Sequence, residues 1–463
     1  MRSDDAICDI NLQFMIYLIH CICFSIYIDH FMKGNQDMKH SKTLSVILLS
    51  ALLFSTACGN KDPYAEYAYD DLYETDSSND NAVITDDTVS SETASAVNDS
   101  NPDFGPLVEG LSYEGDYVWV NDKPEYSELI EIMRSECKKT NFNKGVYILA
   151  NDDEVIFLAG LNSTETDGMT QVNPYTTYEA GALALPITAV AIYQLEEQEK
   201  LKLTDTIDKY LPEYEFGKQI TINNLLYMQS GTYDYLRSPK EFWGDAYDGI
   251  NGEFTKRMYN DEVTDEEFMQ ALNDSGFKHE PGGLVNYCVT DYHLLAMIIE
   301  KITGESYADY VKENIFDVCG MENSSSMAKG DITSVPDPNM GGDAKYLEMP
   351  NTLRGAWDTH SCAADVLAFN RALMGNRLIS GESKDKMLTS QKGYAIEIYA
   401  GGLFLADNGK GFASSGGVQS YLNLDCFLPD TGYGNLYLID LESTLRAYYV
   451  SENISRRLLE TLK

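Results

Sequence analysis

Tyr178-Glu179-Ala180-Gly181-Ala182-Leu183-Ala184-Leu185-Pro186-Ile187-Thr188-Ala189 is the stretch on which the reading of this chain turns. An aromatic residue and a glycine lead through small residues into an apolar run, and the pattern predicts a helix over Ile187 to Lys200. Just upstream, Gly145 to Leu149 and Val155 to Ala159 are strand-like runs joined by Asn151-Asp152-Asp153, the spacing of a hairpin. A helix over Ser127 to Lys139 precedes them. Downstream, helical patterning recurs at Thr264 to Asn273 and Tyr292 to Thr303. Strand patterning returns at Tyr394 to Tyr399, Gln419 to Leu424 and Leu436 to Leu441, and a last helix is expected over Glu452 to Leu462. Strands from both chain ends with helices between them imply an α+β fold: one antiparallel sheet closed by the termini, flanked by helices, with a large, mostly helical insertion over approximately 182–390.

The chain has 463 residues, 44% of them hydrophobic and 11% aromatic, enough to bury one large core or two small ones. Its net charge of −39 excludes a polyphosphate partner, nucleic acid included. The acidity is read as a solubility device. Nine cysteines show neither metal-ligand spacing nor a paired framework. Cys8, Cys21 and Cys23 precede any expected mature start, and Cys137, Cys288, Cys319, Cys362 and Cys426 sit in apolar or mixed surroundings that suit small buried hydrophobes. Pairing among those five is left open.

Residues 38–57 read as a lipoprotein signal. Lys39, His40 and Lys42 form a basic start, and Leu44 to Phe54 is an apolar run too short to span a bilayer. Ser55-Thr56-Ala57 then leads into Cys58-Gly59-Asn60, which resembles a lipobox with Ser55 in place of the usual leucine. The expected outcome is diacylglycerol on Cys58 and anchoring at the membrane surface, an extracytoplasmic location. Residues 1–37 carry a second apolar run, Phe14 to Ile28, and are read as a doubtful upstream extension, with an N-terminal membrane helix as the alternative. Residues 58–106 are rich in Asp, Glu, Ser, Thr and Tyr without period, the composition of an acidic disordered tether. A folded domain is expected over 107–463.

Several strings in order carry a resemblance. Leu195-Glu196-Glu197-Gln198-Glu199-Lys200-Leu201-Lys202-Leu203-Thr204-Asp205 is followed by Tyr210-Leu211-Pro212-Glu213, by Ile220-Thr221-Ile222-Asn223-Asn224-Leu225-Leu226 and by Gln229-Ser230-Gly231. Pro281-Gly282, Tyr287, Ile298 to Gly304, Ile315-Phe316 and Gly320-Met321 continue it. This order is similar to that of the β-lactamase-related serine hydrolases, the class C β-lactamases, penicillin-binding proteins and DD-carboxypeptidases among them. The resemblance implies a serine β-lactamase/transpeptidase-like fold.

It also implies three active-site motifs. The first is S-x-x-K, where the lysine, one helical turn after the serine on the same helix face, takes the hydroxyl proton. Here Ala182 stands at the serine position and Leu185 at the lysine position, and neither attacks a carbonyl or moves a proton. Four other S-x-x-K strings begin at Ser135, Ser275, Ser326 and Ser383. None both follows the hairpin and opens the apolar helix; Ser326 and Ser383 fall in polar, loop-like stretches. The second motif, Tyr-x-Asn, reads Tyr287-Cys288-Val289: the tyrosine is kept and the asparagine is replaced. Cys288 invites a rescue by thiol, but the resemblance turns that middle residue away from the cleft, and a buried cysteine is the better reading. The third motif, a Lys- or His-led triplet on the edge strand lining the cleft, reads Ser414-Ser415-Gly416-Gly417, with Ser414 in place of the basic residue. The Gly417 and Ala182 N–H groups are left as an oxyanion-hole-like pair.

His279, His293 and His360 are scattered, no metal motif occurs, and no cofactor is expected. The leading expectation is a surface-anchored, catalytically degenerate family member that binds a cell-wall peptide or a surface protein through Tyr287, Ser414, Ser415, Gly416 and Gly417, without acyl transfer. Two alternatives stand beside it. One is an active hydrolase with a relocated nucleophile at Ser414, Ser415 or Cys288. The other is an inert structural domain.

Overall fold

The computed structural model describes residues 107–113, 116–139, 144–162, 173–249, 252–259, 262–283, 285–326, 353–390, 399–406, 411–418, 421–440, 457, 460 and 461. The lipoprotein signal, Cys58 and the acidic stretch before residue 107 lie outside them. Among the described residues no helix is long and apolar enough to cross a membrane.

The expected hairpin forms. Strand β2 (Lys144–Ala150) pairs antiparallel with β3 (Val155–Asn162), after helix α1 (Ser127–Lys139). Strand β1 (Tyr117–Val120) adds outside β3, so its Tyr-Val-Trp-Val run, rich in strand-forming residues, is a strand the periodicity reading passed over. From the chain's other end come β7 (Phe404–Ala406), β8 (Gly411–Val418), β9 (Tyr421–Leu428) and β10 (Tyr433–Asp440). The order β1-β3-β2-β10-β9-β8-β7 is antiparallel throughout, and the β2–β10 pair, with Ile148 opposite Leu436, closes the sheet by joining the two ends. Both faces are covered. Leu129, Ile130, Ile132 and Met133 of α1 pack on Tyr147, Leu149 and Leu424, while Val146, Ile148 and Leu158 meet Ala180, Leu183, Val366 and Leu367. Two covered faces explain why β2 reads as a continuous apolar run instead of an alternating one.

The insertion is mostly helical, as expected, but it also carries strands. Helix α2 (Ala184–Glu197) follows β4 (Tyr178–Gly181); α3 (Asp265–Ser275) and α4 (Val289–Thr303) follow in turn. Strands β5 (Ser325–Ser326) and β6 (Thr359–Ser361) then return to make a small sheet of order β4-β6-β5. Helices α5 (Ala363–Met374) and α6 (Gly381–Met387) complete the insertion.

The boundaries differ from expectation for physical reasons. Helix α2 stops at Glu197 instead of Lys200, because Glu199 turns left-handed (φ 56°) and the Lys200 N–H returns to the Leu195 carbonyl. Helix α4 starts at Val289, ahead of Tyr292, because the Asp234 carboxylate, 55 residues away, accepts the Val289 N–H at 2.9 Å. Ser383 is not in a loop: it lies buried in α6, its N–H held by the Ser380 hydroxyl. Ser326 is likewise a strand residue, its hydroxyl donating to Asp358. The motif strand β8 is not wholly an edge, since β7 pairs with its Gly411–Ala413 half. Of the Tyr394–Tyr399 strand only Tyr399 is described, bridged to Phe404; of the last helix only Arg457, Glu460 and Thr461 are described, all helical. Cys288, Cys319, Cys362 and Cys426 are buried thiols in no disulfide, the environment expected of them.

Beside the first motif, the interior keeps an unmatched carboxyl. Glu179 of β4 is 1% exposed, and neither carboxyl oxygen has a hydrogen-bond partner. Burial pushes its pKa up to about 8. A carboxyl with a raised folded pKa binds more protons folded than unfolded, so its favourable contribution is present at acid pH and is lost as pH climbs from its ordinary value of 4.5 to about 8. We expect Glu179→Gln to be more stable than the wild type by roughly 2–4 kcal/mol at pH 7 to 8, and for that difference to vanish near pH 4.5. Urea unfolding of both proteins across that range measures it.

Candidate functional site

The three motif strings meet where the β4–α2 turn runs under β8. Gly181 takes a left-handed conformation (φ 55°) that lets β4 break into the turn, and the Leu183 and Leu185 N–H groups close it onto the Ala180 and Ala182 carbonyls. Ala182 therefore sits two residues ahead of the helix that follows, and Leu185 in its first turn. A methyl and an isobutyl group, both buried, occupy the two positions.

From above comes β8. The Ser414 hydroxyl donates to the Ala182 carbonyl at 3.1 Å, so the residue at the basic position is tied to the backbone of the residue at the serine position. Two residues on, Gly416 approaches so closely that a Cβ there would lie 2.0 Å from the Ala180 carbonyl oxygen and 2.9 Å from the Ala182 nitrogen. Only glycine permits that crossing. Gly417 pairs with Leu422 of β9.

From the side comes the α4 entry. Buried Asp234 organises it: one carboxylate oxygen accepts the Leu236 and Arg237 N–H groups, the other the Val289 N–H. This places Tyr287 just before the helix. Its hydroxyl accepts from Trp357 Nε1 at 2.8 Å, the Arg237 guanidinium lies 4.6 Å over its ring, and Phe404 of β7 stacks on it at 6.0 Å. Phe404 is in turn the ladder partner of Ala413, the residue before Ser414, and Gly402 of the same segment packs on the Leu185 backbone. The sequence-selected residues Ala182, Leu185, Tyr287, Val289, Ser414, Gly416 and Gly417 thus come from separate segments into one neighbourhood. Asp234, Arg237, Trp357 and Phe404, which sequence reasoning missed, are what hold it together. The Asp234-Tyr235-Leu236-Arg237 turn had an Asx-turn signal; Trp357 and Phe404 had none.

The neighbourhood is closely filled. Exposure is 2% for Ala182, 1% for Leu185, 0% for Val289, 3% for Ser414 and 9% for Tyr287. Cys288 is buried with its sulfur 3.5 Å from the Thr232 hydroxyl, and burial holds its thiol well above the ordinary range, which removes the thiolate that nucleophilic attack requires. Among the described residues no group of three His, Cys, Asp or Glu side chains is placed to hold a metal ion. His293 packs edge-on to Phe268 inside the core, and His360 sits in the small sheet opposite Glu179.

A profile of the Beta-lactamase family matches residues 134–445. The putative penicillin-binding protein PbpX of Bacillus subtilis is 28% identical over 286 residues, 59% of this chain and 67% of that one. Penicillin-binding protein 4* of the same organism is 30% identical over 268 residues, so the match spans 54% of this chain and just over half, 56%, of that one. Among solved structures, FmtA from Staphylococcus aureus superposes with a TM-score of 0.57 at 18% identity, covering 75% of this chain and 90% of that one, a likeness of fold.

The tightness at Gly416 is testable. Gly416→Ala drives a methyl into backbone that cannot rotate away, and we expect at least about 2 kcal/mol of destabilisation in chemical unfolding. Ala413→Gly, on the same strand but away from the crossing, costs about 1 kcal/mol or less.

Proposed function

The chain belongs to the beta-lactamase family of serine hydrolases, and from that premise we propose that it is a member that no longer transfers acyl groups and binds peptide at the mouth of the inherited cleft. The observation that carries this reading is the filling of the reaction centre. Where the family's chemistry asks for a hydroxyl, an amine, an amide and a cation, this chain holds buried Ala182, Leu185 and Val289, and a Ser414 whose hydroxyl already donates to the Ala182 carbonyl. Attack on a carbonyl needs a nucleophile beside a base, and among the described side chains at these motif positions no pair of that kind stands.

Of the three positions of the relocated-nucleophile alternative, the Ser415 side chain lies outside the described ones and the other two argue against it. Ser414 has no base on its hydroxyl, and Cys288 is buried as a thiol. A binding role is favoured by what persists around the centre. Tyr287, Trp357 and Arg237 form a contacting cluster of the residue types that dominate recognition hot spots. Among the described residues no strand pairs with Ser414–Val418 on the β7 side, which leaves backbone for an extended peptide to join as an added strand. A cell-wall peptide suits such addition. Anchoring through a lipid on Cys58, with residues 58–106 as the tether, completes the proposal and places the domain outside the cytoplasmic membrane.

Fluorescence anisotropy of the full chain with labelled cell-wall stem peptides tests binding. The expected result is saturable, reversible binding with no cleavage of the peptide, weakened about tenfold or more by Tyr287→Ala. Binding to no peptide would favour the inert structural alternative. Restoring the first motif alone, with Ala182→Ser and Leu185→Lys together, is expected to leave the protein inactive towards chromogenic penicillins, because Val289 and Ser414 still lack the groups that hold and orient an acyl donor.

A further inference from the structure

The position that holds a basic residue in the family's third motif is Ser414 here, and its hydroxyl donates to the Ala182 carbonyl. A positive charge nevertheless stands at Tyr287. The Arg237 guanidinium lies 4.6 Å from the centre of the Tyr287 ring. Phe404 stacks on the same tyrosine and pairs with Ala413 of β8, so two aromatic side chains connect Arg237 to the strand whose basic position is Ser414. Of Arg237, Trp357 and Phe404, which all meet Tyr287, only Arg237 is charged.

The backbone beneath Arg237 is fixed. The Asp234 carboxylate accepts the Leu236 and Arg237 N–H groups at 2.9 Å each, and the Asp234 carbonyl accepts the Ser238 N–H at 2.8 Å. Pro239 then opens a short helix, Pro239–Trp243, and its ring removes freedom from the far side of the turn. Burial pushes the Asp234 carboxyl up, and the Arg237 charge is the largest influence opposing the rise. Arg237 itself is half-buried, as is Trp357, while Tyr287 is 9% exposed. The cluster therefore meets solvent mainly through its cation and its indole.

We propose that Arg237 reads a carboxylate of the peptide ligand, seated beside Tyr287 and Trp357 instead of at the basic position of β8. This rests on the peptide-binding reading above and adds to it the ligand group that is recognised and the residue that recognises it. A guanidinium stacks on aromatic faces and carries a planar fork of N–H donors that matches a carboxylate bidentately. The net charge of −39 sharpens the assignment. The field of so acidic a chain disfavours anions, and a preference for an acidic over a neutral ligand needs a local cation. A peptide C-terminus and an acidic side chain both offer the carboxylate.

Fluorescence anisotropy of the full chain with a labelled cell-wall stem peptide in three forms tests the proposal: every carboxyl amidated, only the C-terminal carboxyl free, and only an internal carboxyl free. The expected result is that a carboxylate form binds about tenfold or more tighter than the fully amidated one, and the form that does so identifies the source. Arg237→Gln is expected to bring that ratio close to one. Arg237→Lys keeps part of it, because the charge remains and the fork is lost. Lys278→Ala, which removes an exposed cation beside Asn286, leaves it unchanged. Equal affinity for all three forms overturns the proposal and leaves the peptide reading standing. A ratio that survives Arg237→Gln, or that falls as far in Lys278→Ala, also overturns it, by assigning the preference to another cation or to the general field. No binding of any form overturns this inference together with the reading on which it rests.

Discussion

The contact on which the rest depends is the crossing of β8 over the β4–α2 turn. Gly416 brings backbone against backbone at Ala180 and Ala182, and Ser414 clamps the crossing with a hydrogen bond to the Ala182 carbonyl. This crossing joins the main sheet, built from both chain ends, to the start of the helical insertion. Remove it and the three motif strings have no reason to meet. It does not depend on the side chains at Ala182 and Leu185, because it is made of backbone and of a glycine whose replacement by any larger residue collides with a carbonyl. A scaffold held by such contacts tolerates Ala182, Leu185 and Val289, each of which buries apolar surface where polar groups would have needed partners.

A second constraint is electrostatic. Glu179, Asp291, Asp358 and Asp425 are buried carboxyls that burial pushes up, to about 8, 7, 6 and 7. Asp291 and Asp358 take hydroxyl donors from Ser230 and Ser326, and Asp425 an amide, whereas Glu179 takes none. Each favours the folded state more at acid than at alkaline pH. Half-buried Glu154 and Asp205, held down to about 2 by Lys123 and Lys209, contribute in the opposite sense, present above the ordinary carboxylate range and lost towards pH 2. An acidic chain with this interior has a stability that falls as neutral pH is passed.

The hairpin, α1 and the sheet closed by the two chain ends were legible in the sequence because each is written in local periodicity: apolar runs, a turn of Asn and Asp, helical spacing. The ends of α2 and α4 were not. Glu199 ends one by adopting a left-handed conformation that its residue type does not announce, and Asp234 starts the other from 55 residues away. The two-residue β5 and three-residue β6 have too little length to show a period. At the site, the motif positions were legible because small residues and a tyrosine stand at fixed places in recognisable strings. Arg237, Trp357 and Phe404 were not, since their roles come from meeting Tyr287 in space and from nothing in their own neighbourhoods.

The central claim, that the inherited centre cannot form an acyl-enzyme, has a direct measurement: intact-protein mass spectrometry of the full chain after prolonged incubation with a penicillin and, separately, a fluorophosphonate. Unmodified mass in both is the result expected of a centre holding Ala182 and Leu185. An adduct of one acyl or phosphonyl group on any serine would contradict the account, and the modified residue would identify the nucleophile it overlooked.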